Sequence, residues 1–177
     1  MAYFDQFTIP VKGLHLGIHE YAFEIDNEFF TRKECTLIES GHFKVNVTLD
    51  KNIDLIILEV EFSGHWNTTC DRCTADIPLP VHGKSDYLIK YAAQEIDDGD
   101  ILYIMKETTE LNVSDLILDS VSVGLPIKKV FDCESLNPRP CDLETLEKLQ
   151  QWSFNEQLTP ANDVWASLQG LHLEEEE

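Results

Sequence analysis

The sequence predicts an α+β protein, with an antiparallel sheet or partly open barrel in the N-terminal half and short helices in the C-terminal half. Three observations carry this. Apolar and polar residues alternate through much of the stretch from His19 to Phe62, the period of a strand with one buried face. After Asn112 the spacing of apolar residues becomes helical, and "LETLEKLQQW" from Leu143 repeats that pattern. The chain has 177 residues and is 43% apolar, enough to bury one core.

The elements follow in order. "HEYAFEID" sets Tyr21, Phe23 and Ile25 on one face against Ala22, Glu24 and Asp26 on the other. "HFKVNVTLD" does the same with Phe43, Val45, Val47 and Leu49. "LDKN" at 49–52 has turn chemistry, so the next strand, "LIILEVEFSG", is expected to return antiparallel. Gly64 and the polar "HWNTT" are expected to end it. "DIPLPVHGKSDYLIKY" is again extended, but Pro78 and Pro80 cannot donate to a ladder. That segment is therefore expected on an edge or broken near His82-Gly83, with Tyr87, Ile89 and Tyr91 in a further short strand. "AAQEIDDGD" reads as an acidic loop, and "ILYIM" as a strand or helix start.

"NVSDLILDSVSVGLP" offers an N-cap at Asn112 or Ser114, an early Asp115, and Gly124 and Pro126 as its stop. Residues 131–142 form a proline-containing loop, and "LETLEKLQQW" and "ANDVWASLQGL" are short helices. One domain over residues 1–171 follows: a β-rich half at 1–64, a cysteine-loop region with one central helix at 65–142, and C-terminal helices at 143–171. Residues 172–177 are an acidic tail.

The formal charge is −20. Such a chain repels phosphate backbones, whose neutralisation by Lys and Arg drives most nucleic-acid affinity. It suits a basic protein partner, because complementary potentials steer association. Solubility alone also explains an acidic surface. No run of about 18 apolar residues is present to span a membrane. "MAYFDQFTIP" lacks the regions of a signal peptide. A cytoplasmic protein with reduced thiols is expected.

Five cysteines stand at 35, 70, 73, 133 and 141. The stretch "NTTCDRCTADIP" holds two of them in C-x2-C spacing, which lets two thiolates reach one zinc ion, and a structural site takes four ligands. Cys133 and Cys141 in "FDCESLNPRPC" are the candidate second pair. His65 or His82 could replace one thiolate. Unmetallated structural thiols remain an equal reading of all four. A thiol-redox or metal-transfer role for Cys70 and Cys73 meets an obstacle, because a redox cysteine uses a helix N-terminus and "TADIPLP" cannot sustain a helix. Cys35 has no nearby cysteine and reads as a small buried residue. A metal-dependent hydrolase would need an open coordination position and a carboxylate base, and the six histidines match no such motif.

Basic residues flank both cysteine regions: Arg72, Lys84 and Lys90 at one, Lys128, Lys129 and Arg139 at the other. If a zinc site joins the loops these cations could cluster, with Arg72, Lys128, Lys129 and Arg139 as candidate partner contacts. The plainer alternative is that they balance nearby acids.

Taken together, "CDRC", "NVSDLILDSVSVGLPIKKV", a later cysteine before "DLETLEKLQ" and a final "DVWASLQGL" resemble the YceD-like family, the large ribosomal RNA subunit accumulation proteins, from about Phe7 to Leu171. The resemblance implies a role in making or retaining large-subunit ribosomal RNA, in a genetic setting shared with a small zinc-ribbon ribosomal protein. It implies no enzymatic activity. It places the family's cysteine pair at Cys70 and Cys73 and its later cysteine at Cys141. Many relatives carry a histidine where this chain has Phe131, and Cys133 two residues on stands in its place. With the charge, this leads to a non-enzymatic ribosome biogenesis factor with one structural zinc as candidate cofactor. The expected partner is a basic ribosomal protein or a large-subunit assembly intermediate, with any RNA contact local.

Overall fold

The computed structural model describes residues 3–92, 101–133 and 138–153. The chain divides into two compact units, Met1–Cys141 and Asp142–Glu177. In the first unit, a 3-10 turn at Tyr3–Phe7 leads into β1 (Thr8–Pro10), β2 (Gly17–Ile25) and α1 (Asn27–Arg32). Then come β3 (Gly41–Lys51), β4 (Leu55–Thr69), β5 (Asp76–Ala92), β6 (Ile101–Met105), β7 (Glu110–Asn112) and α2 (Ser114–Val123). The main sheet has the order β2-β3-β4-β5-β6 and does not close, so it is an open sheet rather than a barrel. β2 to β5 are antiparallel neighbours, while β6 joins β5 in parallel. β1 and β7 make a separate antiparallel ribbon.

The alternation read from the sequence decides which face is buried. Phe43, Val45, Val47 and Leu49 of β3 and Ile56, Leu58, Val60 and Phe62 of β4 all lie in the core. Their outward neighbours Lys44, Asn46, Glu61 and Ser63 are exposed. Burying such side chains removes about 25 cal/mol of unfavourable hydration per Å². The inner face receives Phe7, Ile9, Phe29, Phe30, Ile117 and Val121 from the turn, the ribbon and the two helices. Phe7 and Phe29 meet edge-on with centroids 5.1 Å apart. Tyr87 of β5 pins α2 to the sheet, its hydroxyl 3.0 Å from the Leu116 carbonyl and 2.8 Å from Ser120 Oγ.

Two sequence expectations change. β4 does not stop at Gly64 but runs 15 residues to Thr69. Gly64 serves packing: a Cβ there would lie 2.7 Å from Phe43 Cα, its partner across β3. Nor is β5 broken at His82-Gly83, since it is one 17-residue strand paired with β4 along most of its length. The edge expectation does hold for its prolines. β6 reaches only Leu88 to Ala92, so Pro78 and Pro80 lie where β5 has β4 on one side and no described strand on the other. A missing N–H is tolerated there.

α2 begins at Ser114, but neither Asn112 nor Ser114 is its N-cap: that position is Val113, whose side chain makes no capping bond, and Asn112 Oδ1 instead accepts from the Ser114 backbone N–H at 3.0 Å and from its hydroxyl at 2.6 Å. α1 was not expected. Asp26 caps it by accepting from the backbone N–H groups of Glu28 and Phe29. In the second unit, α3 spans Leu143–Trp152, capped by Asp142, which accepts from Glu144 and Thr145 N–H. Those bonds hold the Asp142 carboxyl below the usual carboxylate range, the Thr145 hydroxyl bond foremost. The acidic loop at 93–100, the "ANDVWASLQGL" helix and the acidic tail fall outside the described residues.

Candidate functional site

β4 and β5 extend past Gly41, where β3 begins, and end in a six-residue turn, Cys70 to Ala75. The turn is closed by backbone bonds from Cys70 N–H to the Ala75 carbonyl (2.8 Å) and from Thr74 N–H to the Cys70 carbonyl (2.9 Å). Thr74 is forced to φ 57°, a left-handed conformation that a β-branched residue strongly disfavours. This winding brings Cys70 and Cys73 inward, 2% and 1% exposed.

Asp71 attaches the second cysteine segment. Its backbone N–H donates to the Lys129 carbonyl (2.9 Å), and its carboxylate accepts from the Lys129 backbone N–H (2.8 Å). Lys129 Nζ lies 3.6 Å from the same carboxylate and 5.8 Å from the centre of the Trp66 ring. The chain from Lys129 then delivers Cys133, which is also buried. Its thiol donates to the Phe131 carbonyl at 3.4 Å. Burial pushes the Cys133 thiol up to about 11, reinforced by a hydrogen bond with Cys141 and the nearby sulfurs of Cys141, Cys73 and Cys70.

The two cysteine pairs therefore meet at the hairpin tip, as their spacing alone could only hint. All four are free thiols, Cys141 the least buried. Soft sulfur donors in a set of four suit zinc. Among the described residues, however, no three His, Cys, Asp or Glu side chains stand close enough together to hold a metal ion as they are. The donor chemistry fits a structural zinc; the sulfurs would have to draw together around it.

The two histidines considered as substitutes have other neighbours. His65 stacks on His42 with centroids 5.9 Å apart, and His82 lines an outer-face groove with Lys44 and Lys84. Cys35 is half-buried against the main core.

Lys84 pairs with Glu59 at 2.6 Å and Lys129 with Asp71, so these two balance acids. Arg72, Lys128 and Arg139 are exposed. Sequence reasoning missed Asp71, which ties the two loops together, and Trp66, which with Lys129, Thr69 and Asp76 lines a cleft of about 360 Å³ beside the tip. The "CDRC" motif contains Asp71, but a carboxylate between two cysteines carries no sign that it will accept from a backbone 58 residues away.

No helix among the described residues is long and apolar enough to cross a membrane. No curated protein and no solved structure matches the chain. A family model described as "Large ribosomal RNA subunit accumulation protein YceD" matches residues 58–172. That match takes in β4 from Leu58 onward, the Cys70–Cys73 turn, α2 and all four cysteines at 70, 73, 133 and 141. The chain belongs to the YceD family of large ribosomal RNA subunit accumulation proteins.

Proposed function

We propose that this chain is a non-enzymatic ribosome biogenesis factor. It supports accumulation of large-subunit ribosomal RNA by binding a basic ribosomal protein or assembly intermediate in the cytoplasm. The family description supports the link to that RNA. The observation that carries the protein-partner half is the state of the cations. Five of the 13 Lys and Arg residues, Arg32, Lys33, Lys84, Lys129 and Lys148, are already in ion pairs with acids. Lys51 is turned inward to the Val11 and Leu14 carbonyls. The seven left, Lys12, Lys44, Arg72, Lys90, Lys106, Lys128 and Arg139, stand against 33 Asp and Glu on a body of net charge −20, and phosphate neutralisation is what drives broad RNA binding. Any RNA contact is local and falls to Arg72, Lys128 or Arg139.

The four cysteines serve in this reading as a structural centre that holds the tip, with one zinc as candidate occupant. The rival reading, thiol exchange or metal transfer at Cys70 and Cys73, gains nothing from their burial, since exchange needs an accessible thiolate. Zinc content of the purified chain, with and without Cys70→Ser, separates a metal centre from bare thiols.

The test of the partner claim is a pair of binding titrations at two salt concentrations, one with large-subunit ribosomal RNA and one with basic large-subunit ribosomal proteins. Tighter binding to a protein is expected. Tighter binding to naked RNA, with a steep salt dependence, would overturn the claim.

A further inference from the structure

The sheet has two edges, and they are unlike. β6 is five residues long. β2 has nine, all paired with β3 on one side, and no other described strand pairs with it. In an antiparallel pair, alternate residues point N–H and C=O together away from the partner strand. Among the described residues, every second residue of β2 thus presents a donor and an acceptor with no strand to receive them. Proteins blunt such an edge with charged side chains, lysine above all, with proline or with a bulge; here the charges are Glu20 and Glu24, which repel acidic strands and leave basic ones free to pair. "GIHEYAFEI" contains neither lysine nor proline, and its register with β3 runs without interruption from Gly17 to Ile25.

The side chains of β2 say what kind of strand would fit. On the outer face Ile18, Glu20, Ala22 and Glu24 are exposed. Glu20 has no ion-pair partner among the described residues, and Glu24 has only His42, at 3.0 Å. On the inner face Tyr21 and Phe23 pack against the core yet stay partly uncovered. A strand laid alongside would meet carboxylates on one face and aromatic rings on the other.

We infer that the β2 edge receives an extended, amphipathic segment of a basic protein, which adds a sixth strand to the sheet. Its lysines or arginines face Glu20 and Glu24, and its alternate apolar residues face Tyr21 and Phe23. Cross-strand pairs of opposite charge and of apolar groups supply the specificity, and the ladder supplies the affinity. Charge works against a second copy of this chain: an antiparallel β2–β2 pair centred on Ala22 would set Glu20 against the copy's Glu24, on bodies of net charge −20 each. Residues 1–2, 93–100, 134–137 and 154–177 contain no lysine or arginine to meet Glu20 and Glu24. That the natural segment belongs to a ribosomal protein rests on the proposed function; the edge itself does not.

The test uses the full chain and an acetylated peptide of alternating lysine and valine, followed by amide hydrogen exchange. In the free chain, alternate amides of residues 17–25 exchange fast. With peptide they become protected, and a glutamate–valine peptide has no effect. A Glu20→Gln, Glu24→Gln double variant, which removes both carboxylates without setting a cation opposite Lys44, binds the lysine peptide about tenfold more weakly, with circular dichroism confirming that it is folded. Protection that falls elsewhere, or β2 amides that are all slow before peptide is added, would overturn the inference. Failure here leaves a large-subunit RNA defect on depletion untouched, and absence of that defect leaves peptide binding untouched, so the two claims fail separately.

Discussion

The β4–β5 hairpin passes through two environments held together in different ways. Its body, from Ile56 to Phe62 and from Val81 to Ile89, lies in a core of large apolar side chains shared with β3, α1 and α2. Its tip carries five buried residues, Cys70, Cys73, Ile77, Leu79 and Cys133, that stand outside that core. The tip has little apolar area of its own, so polar bonds from Asp71 and four sulfurs do what rings and methyls do in the body. A body packed in this way draws its order from apolar burial. A tip made in this way is the region whose order depends on hydrogen bonds and on whatever the thiols bind.

The sharpest break of the comparison lies in the body. Gly64→Ala pushes a methyl into Phe43 and the β3 backbone and is expected to cost about 3 kcal/mol in denaturant unfolding. The whole molecule should lose stability, not the tip alone. Asp71→Ala removes a charged acceptor from the Lys129 N–H and the ion pair to its Nζ. It is expected to cost about 2 kcal/mol, but locally: exchange and proteolysis at 70–75 and 127–133 should rise while Tm moves little. An equal loss of Tm would mean that body and tip unfold as one. Thr74→Gly relieves the left-handed strain and is expected to stabilise the tip by about 1 kcal/mol, seen as slower exchange of the Cys70 and Thr74 amides.

The smallest effect is one of pH. In the metal-free chain the Cys133 thiol keeps its proton to about 11, against 9.0 ordinarily, because it is buried among sulfurs. Between those values the unfolded chain gives up the proton and the folded chain does not, so stability should fall as pH rises through that window. Cys133→Ser should flatten the fall.

Much of the body was legible because period two is a direct print of a half-buried sheet. Phe43, Val45, Val47 and Leu49 announce their face with no need of a partner. α1 was not legible, since "NEFFTR" is six residues long and two adjacent phenylalanines look as much like a strand. β4 seemed to end at Gly64 because glycine and polar residues usually mark a stop. Here the glycine makes room for Phe43, and pairing with β5 carries the strand on. The cysteine spacings pointed to a shared site. The contact that joins them, Asp71 with Lys129, is long-range and polar, and no periodicity records such a bond.

The most direct test of the central claim is a sucrose-gradient profile of cells depleted of this protein, probed for both ribosomal RNAs. The account predicts a selective shortage of large subunits and their RNA, restored by the wild-type chain and reduced in rescue by Cys70→Ser with Cys73→Ser. An unchanged ratio of large- to small-subunit RNA would contradict it.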